Sequence, residues 1–307
     1  MKFNLETIFQ ILAWSYESEH YQWTRGLYNG RFELPNWARV KKEFHENGLT
    51  GGRDFFVIDA GEFDLWVFPG TLPTDWKDWW VNLQAQAIPV PVRGAVSAEI
   101  NKAMGEVHRG AAGIGRVLDD EMNRDQKPAL LIGHSQGFMS AINAAVWALD
   151  KEMDVIGVIG TGCPRVGNDK FIEGILKHVP VLPFYHSFDI VRFLPTCSMG
   201  YAGFNGLLLS ENGTAPEALP GMSIGAYCPD GGFGQWFKSI YRKFRHGLKG
   251  GPVSDHDSTK YIAGLSDLLS IHAVPAERRI KEFLEAQQGG KRLTRLLQIE
   301  ERKEVLV

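Results

Sequence analysis

The sequence predicts an α/β fold: a mainly parallel central sheet with an antiparallel hairpin near its start and helices on both faces. Three observations predict it. Short unbroken apolar runs at 129–132, 155–159 and 183–188 have the length and composition of strands covered on both sides. Helical patterns lie between and around these runs, the alternation that places strands parallel. Two further β-rich runs, Phe55-Phe56-Val57-Ile58 and Phe63 to Phe68, flank an Ala60-Gly61 turn and read as a hairpin.

Element by element, residues 1–50 mix aromatics (Phe9, Trp14, Tyr16, Tyr21, Trp23, Trp37) with charges and read as helices covering the sheet. After the hairpin, Ile114, Val117, Leu118 and Met122 recur at helical spacing. Residues 137–149 are apolar almost all round, which predicts a buried helix directly after the strand at 129–132. From about 274 to 307 the chain is charged but carries Ile280, Phe283, Leu284, Leu296 and Leu297, the pattern of terminal helices packed on the body. With no Pro/Ser-rich linker in its 307 residues, the chain reads as a single domain, 1–307.

Composition narrows the function classes. A formal net charge of −3 gives no global attraction for nucleic acid. The stretch Lys238 to Lys249, with Arg242, Lys243, Arg245 and His246 among aromatics, fits a solvated helix face better than a membrane-surface helix. Cys163, Cys197 and Cys228 are too few for a disulfide framework or a zinc site, though one bond is compatible with them. Asp255-His256-Asp257 lacks spaced partner ligands, so no metal or other cofactor is expected. No secretory pattern opens the chain and no apolar run approaches membrane-spanning length, so a cytoplasmic product is the default expectation, with export by another route left open.

The chemistry centres on Gly133-His134-Ser135-Gln136-Gly137. A Gly-X-Ser-X-Gly match alone is weak, but this one sits between an apolar strand and an apolar helix. That setting is the strand-to-helix turn that holds a nucleophilic serine, with Gly133 and Gly137 supplying the close approach a Cβ would forbid. Ser135 is therefore the candidate nucleophile, and His134 reads as packing. In hydrolases with a serine on such a strand-to-helix turn, the acid and then the base follow the serine in the chain. His178 and His186 come too early, His246 lies in the basic stretch, and His256 stands in a loop after Gly250-Gly251-Pro252; His272 is the runner-up. Asp189 closes the strand at 183–188 and so falls at the carboxyl edge, whereas Asp154 begins a strand at the opposite edge. Asp255 and Asp257 read as loop carboxylates.

Several stretches in order now resemble the class 3 lipases, the fungal-lipase-like branch of the α/β-hydrolases. They are Val67 to Thr71, Val107-His108-Arg109-Gly110, Gly133 to Gly137, Gly162 to Asn168, Asp189 to Pro195, and Asp255-His256 with Tyr261 nearby. The resemblance implies a carboxylic-ester hydrolase with Ser135, Asp189 and His256 as its triad. It also implies oxyanion donors at Thr71 and at the Gln136 backbone, and structural roles for Arg165 and His108. Thr74 to Trp80 is similar in position to the family's short amphipathic lid, with Trp76 or Trp79 as its tryptophan; a fixed surface helix is the competing reading. Three departures stand out: Pro69 where the family usually has Arg, Gln136 where it often has Leu, and Ala111 where it usually has Phe. The implied substrate is a triacylglycerol, with a phospholipid or small ester as alternatives and transient contact with a lipid interface. A catalytically inactive hydrolase fold serving as a binding module is the reading from another class.

Overall fold

The computed structural model describes residues 3–16, 33–44, 55–70, 87–89, 106–108, 114–122, 127–186, 189, 191–195, 197–209, 217–218, 226–227, 260–265 and 273–299. Its centre is an eight-stranded sheet in the order β1-β2-β3-β6-β7-β8-β10-β11. These strands are β1 (Arg39–Phe44), β2 (Phe55–Asp59), β3 (Asp64–Phe68), β6 (Ala129–His134), β7 (Val155–Thr161), β8 (Val181–His186), β10 (Leu207–Leu209) and β11 (Glu217–Ala218). The run β3-β6-β7-β8-β10 is parallel, while β1-β2-β3 at one side and β10-β11 at the other are antiparallel. Two small ladders stand apart, β4 (Ala87–Pro89) with β5 (Glu106–His108), and β9 (Gly203–Phe204) with β12 (Ala226–Tyr227).

Side chains alternate between the two faces along each strand, and the two cores follow that alternation. Phe55, Val57, Trp66, Phe68 and Leu131 join one core with α2 (Ile114–Glu121), α3 (Gln136–Asp150) and α4 (Asp169–Leu176). Phe56, Ile58, Leu65, Val67, Leu130 and Ile132 join the other with α1 (Leu5–Ser15), α5 (Ala273–Glu285), α6 (Gly290–Leu296) and Tyr261 and Leu265 of the helical segment 260–265. The expected hairpin, buried helix and terminal helices are all present. Burial along α3 runs unbroken from Gln136 to Ala148, as its all-round apolar sequence predicts.

The expectation of helices over residues 1–50 needs correction. Residues 5–15 are helical, but Arg39–Phe44 forms β1, antiparallel to β2. Its charges mislead because it is an edge strand. Among the described residues only one of its sides is paired, and exposed charged side chains at an edge protect it from pairing with another chain. One of those charges also has a partner, since Lys41 reaches the fully buried Asp64 at 2.8 and 3.0 Å.

At the amino edge of the sheet, Asp154 takes both guanidinium nitrogens of Arg292 at 2.5 and 2.8 Å. That placement agrees with its exclusion as the acid. Gln287 ties α5 to the start of β8 by accepting from Val181 N–H at 2.8 Å and donating to its carbonyl at 3.0 Å. Cys197 is disulfide-bonded, while Cys163 is a free, buried thiol. Among the described residues no helix is long and apolar enough to cross a membrane.

Candidate active site

β6 ends at His134 and α3 begins at Gln136, so a single residue makes the whole turn. That residue, Ser135, has φ 57° and ψ −127°, a left-handed region costly for any residue with a Cβ and characteristic of strained functional turns. Its N–H donates to the Thr161 carbonyl on β7 at 3.0 Å, and its carbonyl accepts from Phe138 N–H at 3.0 Å, so both sides of the peptide are held.

The flanking glycines make the turn sterically feasible. A Cβ on Gly133 would stand 2.5 Å from the Gly137 backbone, and one on Gly137 would stand 2.6 Å from the Pro69 carbonyl oxygen. Gly70 is pressed in from the third side, where a Cβ would meet Ser135 Cβ at 2.7 Å and the His134 carbonyl oxygen at 2.6 Å. The Ser135 hydroxyl is buried and has no hydrogen-bond partner among the described residues. Beneath it lies the positive end of the fifteen-residue α3, which favours negative charge developing at that oxygen.

Asp189 follows the end of β8 by three residues and is 1% exposed. Its two oxygens are aimed by different neighbours. Oδ1 accepts from Val191 N–H at 2.8 Å, and Oδ2 accepts from the Tyr261 hydroxyl at 2.5 Å. Tyr261 in turn accepts from His186 N–H at 3.1 Å. Burial and the Asp189 charge push the Tyr261 hydroxyl well above its usual range, so it remains a donor to the carboxylate. The same causes, burial first, raise the nearby Cys163 thiol, which stays protonated and unreactive. Arg165, also buried, donates from one guanidinium nitrogen to the carbonyls of Phe193 and Pro195 at 2.9 and 3.0 Å, fastening the loop that follows Asp189.

β6 and β8 flank β7, so the strand ends that precede Ser135 and Asp189 are two strand spacings apart, about 10 Å, at the same edge of the sheet. His256, Thr71, Trp76 and Trp79 lie outside the described residues, as do Asp255 and Asp257. Among the described residues no cluster of three or more His, Cys, Asp or Glu could hold a metal ion.

Two contacts were not legible in the chain. Tyr16, just past the end of α1, accepts the Gly70 N–H at 2.5 Å although 54 residues separate them. His134 is wedged edge-on between Tyr16 and Tyr261, with ring centroids 6.0 and 5.7 Å away, and its Nδ1 sits 2.8 Å from Thr161 Oγ1. The aromatic content of residues 1–50 was visible in sequence; which aromatic would reach Gly70 was not.

The family model Lipase (class 3) matches residues 67–199. Over those residues the chain is similar to the class 3 lipases. The match runs from the end of β3 through the turn at Ser135, Arg165 and the Asp189 loop. The fold is that of the α/β-hydrolase lipases. The chain resembles Rhizomucor miehei triacylglyceride lipase at 18% identity, over 67% of this chain and 80% of that one, with a TM-score of 0.52. It resembles R. miehei lipase in a propeptide complex at 17% identity, over 73% and 70%, with a TM-score of 0.51. A lipase from Rhizopus microsporus var. chinensis aligns at 23% identity and a TM-score of 0.45, covering 57% of this chain and 62% of its own length, so less than two thirds of that relative is spanned. No curated protein matches.

Proposed function

We propose that the protein is a carboxylic-ester hydrolase acting through an acyl-enzyme, with Ser135 as nucleophile, His256 as general base and Asp189 as the carboxylate that orients it. The observation that carries this reading is the Ser135 turn: a strained, buried serine at the strand-to-helix junction, over the start of a long helix, pressed by three glycines. Strain of this kind persists only where surrounding packing enforces it.

In the proposed reaction Ser135 Oγ attacks the ester carbonyl while His256 takes its proton, forming a tetrahedral intermediate. Thr71 and the Gln136 N–H hold the oxyanion, and the start of α3 adds a favourable field. His256 then protonates the departing alcohol, and water repeats the sequence to release the acid. Asp189 supports the imidazolium, with its own orientation set by Val191 N–H and Tyr261. His256 precedes Tyr261 by five residues, a span of about 17 Å at full extension, which keeps it within reach of the carboxylate that Tyr261 holds.

A triacylglycerol is the favoured substrate, in keeping with the class 3 lipase match, with a phospholipid or small ester as the alternative. Trp76 and Trp79 are proposed to cover the site as a lid. The chain is proposed to work as one domain, contacting lipid interfaces transiently. The decisive experiment measures turnover of p-nitrophenyl esters, emulsified triglyceride and phospholipid vesicles by wild type and Ser135→Ala, alongside labelling by a fluorophosphonate. Wild type should turn over esters and label once per chain, and Ser135→Ala should do neither. A folded Ser135→Ala variant with wild-type turnover would refute the nucleophile, and a wild type inert to both substrate and probe would point to a binding module.

A further inference from the structure

The contact between Tyr16 and Gly70 joins the N-terminal helix to the residue just ahead of Thr71. Gly70 is the most conformationally free residue type, and it stands where rigidity matters most. The Pro69–Gly70 peptide is planar, so fixing the Gly70 N–H fixes that whole plane. Only the two soft dihedrals of Gly70 then separate it from the Thr71 N–H. Among the described residues the partner of that N–H is the hydroxyl of Tyr16, at 2.5 Å.

Tyr16 is well placed to act as an anchor. It is 2% exposed and its N–H closes α1 onto the Ala13 carbonyl at 3.1 Å. Ile8, Ile11, Leu12 and Ala13 of α1 are buried against the sheet, so the helix cannot shift without opening that core. Its ring meets His134 edge-on, His134 is pinned by Thr161 Oγ1, and the Thr161 carbonyl takes the Ser135 N–H. One connected set of contacts thus references both Gly70 and Ser135 to the same strand end. A Cβ built on Gly70 would lie 2.8 Å from Tyr16 Oη and 2.7 Å from Ser135 Cβ, so the glycine is packed closely against both the anchor and the serine.

We propose that Tyr16 is a positioning residue for ester hydrolysis: by accepting the Gly70 N–H it holds the backbone that presents the Thr71 oxyanion donor at a set distance from Ser135. This rests on the ester-hydrolase reading above. Tyr16 does not touch the reacting atoms; it acts on the transition state through Gly70. Its loss lowers the rate of the chemical step at every site, not the number of competent sites.

The test is Tyr16→Phe in the full chain, with sites counted by fluorophosphonate titration and turnover expressed per titrated site. Removal of an oxyanion donor costs roughly a hundredfold or more, so a displaced donor is expected to lower kcat per site about tenfold. KM for a soluble p-nitrophenyl ester should stay within about twofold, because ground-state binding is not the affected term. Ile175→Val, a buried substitution in α4 on the opposite face of the sheet, should lower Tm and leave per-site kcat at the wild-type value. If Tyr16→Phe does not fold, difluorotyrosine at position 16, assayed at mildly acid pH where its hydroxyl stays protonated, offers a poorer acceptor in the same shape and should lower the per-site rate. A normal per-site kcat, with or without fewer titratable sites, overturns the proposal and leaves Tyr16 a packing residue. A wild type that neither labels nor hydrolyses esters removes the hydrolase reading and this proposal with it.

Discussion

Replacing Tyr261 with Phe removes one oxygen and takes a hydrogen bond from each of two buried groups. Asp189 Oδ2 loses a donor at 2.5 Å and the His186 N–H loses an acceptor at 3.1 Å. The first is a hydrogen bond to a charged group, worth about 1.5–3 kcal/mol, and the second takes the acceptor from a buried donor, costing about 1–3 kcal/mol. The ring still packs edge-on against His134 and His186, at 5.7 and 5.9 Å, so no cavity of ring size opens. With the hydroxyl's own desolvation recovered, a net destabilisation of about 3 kcal/mol is expected. For a chain of this size that corresponds to a fall in Tm of about 6–10 °C, read by calorimetry at neutral pH. Activity should fall further than stability alone explains, because the Asp189 oxygen that Tyr261 holds loses the donor that aims it, while Val191 N–H still holds the other. A roughly tenfold loss in kcat on p-nitrophenyl esters is the expected scale for a misaligned acid–base partner. A Tm within 2 °C of wild type, as an order-of-magnitude bound, together with unchanged kcat would refute the inference that Tyr261 holds the carboxylate.

Other perturbations probe the same frame. Gly137→Ala places a Cβ against the Phe68 and Pro69 carbonyl oxygens, both backbone, so the elbow must open; ester hydrolysis should drop by at least about a hundredfold with α-helical circular dichroism retained. Lys41→Met leaves the buried Asp64 without the ammonium at 2.8 Å; the partial exposure of Lys41 lets water approach, so chemical denaturation should show a loss of about 2 kcal/mol. The raised Cys163 and Tyr261 groups set an alkaline limit. Each keeps its proton in the folded state past the ordinary values of 9.0 and 10.0, so their contribution to stability is complete below about pH 9 and is lost as pH rises above it. Urea midpoints between pH 7 and pH 11 should fall only in the upper part of that range, and less steeply in Cys163→Ala.

Much of the scaffold was legible because its strands and helices carry strong local patterns. The apolar runs at 129–132, 155–159 and 183–188 became β6, β7 and β8, and the helix at 137–149 became α3, one residue longer at each end. Ser135 was legible as a candidate because glycine spacing, a preceding strand and a following helix are all local features. Asp189 was legible from its place after a strand. β1 was not, since an edge strand tolerates charge on its exposed side and so lacks the alternation that marks a half-buried one. The two-residue strands β9 and β12 and the β4–β5 ladder are too short to leave a periodic signal.

The sequence by itself determined the order of elements, the strand-to-helix turn and the residue types available for the proposed acyl transfer, because each depends on neighbours within a few positions. The tertiary structure alone decided what surrounds them. Tyr16 meets Gly70 across 54 residues and Tyr261 meets Asp189 across 72, and no local pattern encodes either distance. Both contacts arise because a parallel sheet gathers the carboxyl ends of distant strands at one edge, where helices from both ends of the chain can reach them.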